Sequence, residues 1–137
     1  MVGMNHTEQR SIGKIYNPFT CFDPKFNVFN ENNELKYIIS GDCCQCGIIC
    51  TCYGRCYETI FNIYDAKNSN TDPSQSLGKI IRRIPGAIKI FFSDADNYDI
   101  IFPPNATAYE KLMIIGTTLM IDYTFFEEEP DNCRSYY

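Results

Sequence analysis

The chain has 137 residues, 45% apolar and 21% charged, which fits a single globular domain and excludes wholesale disorder. Seventeen acidic against twelve basic residues leave a net charge of −5, which argues against a nucleic-acid binder, since such a protein needs a basic surplus to meet phosphates. The single histidine, His6, lies in a polar N-terminus, which excludes Ser-His-Asp and Cys-His catalysis and histidine-built metal sites.

The first ten residues are polar and form no secretory signal, and Val2 excludes N-myristoylation. A reducing, cytoplasmic setting is therefore expected, with the sequons at Asn5 and Asn105 idle. From Ser11 to Phe102 apolar residues recur with period two in short runs. Phe26 and Val28, then Leu35, Tyr37 and Ile39, flank Asn30-Glu31-Asn32-Asn33, whose side chains favour turns, and this pattern predicts a hairpin. Tyr57, Thr59, Phe61 and Ile63 share one face of a further strand. The 65–75 stretch, rich in Asn, Asp and Ser, is expected to be a mobile loop. Gly78–Ile84 and Ala87–Phe92, parted by Pro85-Gly86, are two more strands, and Asn97–Phe102, closed by Pro103-Pro104, is the last. Successive strands with tight turns predict an antiparallel barrel or sandwich.

The period then changes. Thr107 and Glu110 fit a capping box, in which each satisfies a backbone donor of the other. Leu112–Phe126 follows, apolar all round, with Asp122 its one charge. Its whole circumference is therefore expected to be buried, in protein or in lipid. Fifteen residues rise roughly 22 Å, short of a hydrocarbon core of about 30 Å, and Asp122 would be costly near the bilayer centre. A helix threaded through a β-shell is the favoured expectation. The chain divides into a polar N-terminus (1–10), a barrel and helix domain (11–128) and a frayed acidic tail (129–137).

Three clusters carry candidate chemistry. Of eight cysteines, six fall between Cys43 and Cys56. Cys44, Cys46, Cys50 and Cys52 would share one face of an extended strand, with Cys43 on the other. Free thiols pack as small hydrophobes, so a Cys-lined barrel wall is one reading, a zinc site a weaker one, and acylation of Cys43, Cys44, Cys46, Cys50 and Cys52 a third. Asp94–Asn105 has the twelve-residue length of an EF-hand loop, with Asp94 and Asp96 at the first and third positions. Asp99 replaces the glycine of position six and Asn105 the terminal acid, so a weak Ca²⁺ site and a plain β-turn both fit. Lys79, Arg82 and Arg83 form a basic stretch that fits the solvent face of a strand or a contact to anionic head groups.

Several segments, in order, resemble the phospholipid scramblase family: Asn17-Pro-Phe-Thr-Cys21 with Pro24-Lys25-Phe26, Ile39-Ser-Gly41, Gly78-Lys-Ile80, Phe92-Ser-Asp-Ala-Asp-Asn97 with Phe102-Pro103, and Ile121-Asp-Tyr-Thr-Phe-Phe-Glu127. The resemblance covers about residues 11–128, the C-terminal half of that family's domain. It implies a mainly β, tubby-like antiparallel barrel around a central C-terminal apolar helix, incomplete here because the family's first strands are not in this sequence. It also implies low-affinity Ca²⁺ binding along Asp94, Asp96, Tyr98, Ile100, Phe102 and Asn105, and palmitate on cysteines. Leu112, Ile115, Leu119, Asp122 and Phe126 would mark the central or lipid-facing helix. Lys79, Arg82 and Arg83 align with a segment used for nuclear import in some relatives. The implied function is Ca²⁺-dependent, ATP-independent movement of phospholipids between leaflets, at the cytoplasmic face of the plasma membrane with a nuclear pool, and no covalent chemistry. The other reading is a lipid-tethered adaptor on the same fold, with protein partners and no transport.

Overall fold

Alternation along each strand decides which side chains turn inward. In the computed structural model, which describes residues 11–18, 24–41, 58–68, 72–83 and 97–126, six strands pair in chain order, each antiparallel to the one before. They are β1 (Gly13–Tyr16), β2 (Lys25–Asn30), β3 (Leu35–Gly41), β4 (Glu58–Asp65), β5 (Gly78–Arg83) and β6 (Asn97–Ile101). The sheet curls into a half-barrel, and one helix, α1 (Ala108–Phe125), lies against its inner face.

The β2–β3 hairpin forms where the asparagines predict it. The Asn30 side-chain oxygen accepts from the backbone N–H of Asn32 at 3.0 Å and of Glu34 at 2.9 Å, holding the turn from within. Asn33 takes a φ of +61°, a left-handed conformation that asparagine tolerates better than most residues. The register slips between Val28 and Phe29, so the hairpin carries a bulge. At Gly78 a side chain is excluded, because a methyl group there would overlap the Ile101 carbonyl oxygen of β6. Near the end of the 65–75 stretch, the Asp72 carboxylate caps a short 3₁₀ turn at Pro73–Gln75 through the Ser74 N–H.

Phe26, Val28, Tyr37, Ile39, Phe61, Ile63 and Ile80 line the inner face and meet Met113, Ile114 and Ile121 of α1. Phe125 completes the core at the far end, edge-on to Phe26 with ring centres 6.0 Å apart and tilted against Phe61 at 6.5 Å. The helix begins at the predicted capping box: Thr107 Oγ1 accepts from the Glu110 N–H and Glu110 Oε2 from the Thr107 N–H.

A mainly β fold around one C-terminal helix is thus as the sequence predicts, but burial around the helix's whole circumference is not. Met113, Ile114, Thr117, Thr118 and Ile121 are buried, whereas Leu112, Ile115 and Leu119 are exposed. Among the described residues, six strands cover one side of α1 and leave the other exposed. Two threonines are buried at no polar cost, since their hydroxyls donate back to the Met113 and Ile114 carbonyls at 2.9 and 3.0 Å. The predicted strand Ala87–Phe92 lies outside the described residues.

Candidate functional site

At 100° per residue, Tyr109, Leu112, Ile115, Leu119 and Tyr123 fall within an arc of about 120°. All five are exposed, and together they form an apolar ridge along the outer side of α1. The two other predicted helix residues sit differently. Asp122 is partly buried and its Oδ1 accepts the Tyr98 hydroxyl at 2.7 Å, while Phe126 packs on the core. Eighteen residues give α1 a length of about 27 Å, and no helix among the described residues is long and apolar enough to cross a membrane.

Each end of α1 is tied to the sheet by polar side chains. At the N-terminal end Glu110 accepts from the Tyr37 hydroxyl at 3.2 Å and lies 3.4 Å from the Lys36 ammonium. Burial, then the negative charge of Glu110, push the Tyr37 hydroxyl up to about 12. Burial alone would raise Glu110, but the Thr107 N–H, the Lys36 charge and the Tyr37 hydroxyl outweigh it and hold the carboxyl below its ordinary value. Beside this cluster a cleft of about 270 Å³ opens between the hairpin and the helix, lined by Phe29, Asn30, Lys36, Thr107, Tyr109 and Met113 among others. At the C-terminal end the Arg82 guanidinium lies 3.7 Å from the centre of the Phe126 ring. The capping-box pattern pointed to Glu110. Nothing local in sequence pointed to Tyr37, Tyr98 or the Arg82 stack, which depend on long-range pairing.

The basic stretch does not form one surface. Gly78, Ile80 and Arg82 turn inward on β5, and Arg82 is buried, contrary to a solvent-facing role. Lys79 and Arg83 occupy the opposite face, where Arg83 lies 3.3 Å from both Glu58 and Asp99. The alternation of a strand separates neighbours that a run of letters groups together.

The predicted Ca²⁺ ligands divide in the same way. Asp94 and Asp96 lie outside the described residues, as do Cys43, Cys44, Cys46, Cys50 and Cys52. Tyr98 and Ile100 belong to β6, where they pair with Arg82 and Ile80 and, with Phe102, pack against the core. A strand from 97 to 101 extends about 13 Å, whereas oxygens around one Ca²⁺ lie about 2.3–2.6 Å from it. Asn105 sits at the other end of the sheet from Asn97, beside Lys36, Asp65 and Leu77. Tyr98, Ile100, Phe102 and Asn105 therefore do not converge on one ion. Among the described residues no cluster of His, Cys, Asp and Glu could hold a metal.

A family model described as Scramblase matches residues 1–128. Phospholipid scramblase 2 of Bos taurus is 35% identical over 104 residues, covering 76% of this chain and 31% of the relative. Phospholipid scramblase 1 of Homo sapiens is also 35% identical over 104 residues, covering 76% of this chain and 29% of the relative. Phospholipid scramblase family member 5 of Homo sapiens is 28% identical over 116 residues, covering 85% and 38%. The chain thus spans less than a third of the first two relatives' length. No solved structure matches it.

Proposed function

The chain belongs to the scramblase family, and on that premise we propose that it acts at phospholipid membranes, letting lipids redistribute between leaflets down their gradients without ATP. The family match across residues 1–128 carries this reading. No bond is made or broken in such a process. The barrier is the loss of water around a polar head group as it enters hydrocarbon, and a protein accelerates the exchange by lowering that loss.

In this reading α1, too short at about 27 Å to span, works from the interface, with Leu112, Ile115 and Leu119 facing the acyl chains and loosening their packing. Palmitate on Cys43, Cys44, Cys46, Cys50 or Cys52 supplies the tether, since stable attachment takes two signals. A Ca²⁺ response, in this reading, rests on the carboxylates of Asp94 and Asp96. The cytoplasmic leaflet of the plasma membrane is the place this reading assigns.

The test is a vesicle assay with a labelled phospholipid in both leaflets and a quencher that reaches only the outer one. Scrambling shows as quenching beyond the outer-leaflet fraction, with and without Ca²⁺. A Ca²⁺ effect that survives Asp94→Ala with Asp96→Ala removes the two carboxylates from the reading. Quenching equal with and without protein rejects transport by this chain and leaves the tethered-adaptor reading.

A further inference from the structure

We propose that in water the ridge of α1 closes against the ridge of a second copy, as an antiparallel helix pair about a two-fold axis. This goes beyond the lipid reading and does not depend on it. Tyr109 is 65% exposed, Leu112 52%, Ile115 41%, Leu119 67% and Tyr123 74%. On side chains of this size that leaves roughly 600 Å² of mostly apolar surface on one helix face, at the upper end of what a monomer carries. Two such faces together bury roughly 1,200 Å², the lower bound of a specific interface, and the flanks of the ridge add to it.

The order of the side chains favours a copy of the same chain. Along α1 the ridge runs Tyr109, Leu112, Ile115, Leu119, Tyr123, and reversing it leaves the series of residue types unchanged. A two-fold interface requires that residue i meet j while j meets i. Antiparallel pairing centred beside Ile115 sets Tyr109 opposite Tyr123, Leu112 opposite Leu119, and Ile115 against its own counterpart. The charges agree. Lys111 and Asp122 lie on the same flank of the ridge, about 20° apart around the helix. The same centring sets the Lys111 of each copy opposite the Asp122 of the other, so the flanking charges are complementary across the antiparallel pair. Lys111 now rests 5.7 Å over the Phe102 ring, and Asp122 keeps acceptor capacity beyond its bond to Tyr98.

Sedimentation velocity on the 137-residue chain in reducing buffer, over a wide concentration range, tests the pairing. A dimer is expected. Leu119→Glu and Leu112→Lys, each at an exposed position, should leave far-ultraviolet circular dichroism unchanged and raise the dimer Kd about a hundredfold or more. Mixing the two variants should restore the dimer. Antiparallel pairing then sets the carboxylate introduced in one copy against the ammonium introduced in the other, and keeps one Leu112–Leu119 contact. Should either charged variant lose its circular dichroism, Leu119→Ser and Leu112→Ser test the same contacts. A chain that stays monomeric throughout, including one that binds uncharged vesicles as a monomer, overturns the proposal. So does a dimer that these substitutions leave intact, or a mixture that fails to recover.

Discussion

Ile121 and Leu119 stand two residues apart on α1, and replacing each by alanine separates the face that carries the fold from the face that does not. Ile121 is fully buried in the core cluster. Its truncation removes three carbons at about 0.8 kcal/mol each and leaves a partly unrelaxed cavity, so the loss should be roughly 3–4 kcal/mol. That is a large share of a stability of about 5–15 kcal/mol. With a urea slope of about 2 kcal/mol/M the midpoint falls by roughly 1.5–2 M. Leu119→Ala, on the exposed ridge, should stay within about 0.5 kcal/mol of the parent when unfolding is followed at protein concentrations too low for self-association. Leu119→Asp should likewise fold, the reverse of what a helix enclosed on all sides would require. Equal losses at 119 and 121 would refute the half-covered helix.

Acid should weaken the N-terminal tie of α1. Glu110 is held below its ordinary 4.5 in the fold, so its contribution is present above that pH and is lost as pH falls through the folded value. Glu110→Gln should lower stability at neutral pH and flatten its decline below about 4.5, as read by thermal melts across pH. Gly78→Ala should cost about 1–3 kcal/mol, because the added methyl forces β5 from the Ile101 carbonyl, and calorimetry reads the loss directly. Tyr98→Phe strips a partly buried carboxylate of a donor at 2.7 Å and should cost about 1.5–3 kcal/mol. A cycle with Asp122→Asn should show the two losses to be less than additive.

The hairpin at Asn30–Asn33 and the cap at Thr107 were legible because each is set by chemistry within a few residues. The facing of α1 was not. Leucines on one side and Met113, Ile114 and Ile121 on the other give hydrophobicity no gradient around the axis, and the buried side also contains Thr117 and Thr118. Arg82 misled for a related reason. Its inward position follows from the alternation through Gly78 and Ile80, but a run of basic letters does not show that its guanidinium will meet a ring such as Phe126 inside. That ring comes from the other end of the described chain. The loop-like length of Asp94–Asn105 could not show that 97–101 pairs with β5, which fixes those residues in a ladder.

The order of elements has a consequence for how the molecule is made. Every described strand pairs with its neighbour in sequence, so the sheet can grow strand by strand, without crossovers, as the chain leaves the ribosome. Phe125, which meets Phe26 and Phe61, is among the last of the core residues to be synthesised. Until α1 emerges, Phe26, Ile39, Phe61 and Ile80 line a nascent sheet with nothing from the helix against them, a stage at which holdase chaperones would find apolar surface to bind. A ribosome stalled before Ala108 would therefore hold strands without the helix that completes their core, which the 108–126 segment supplies.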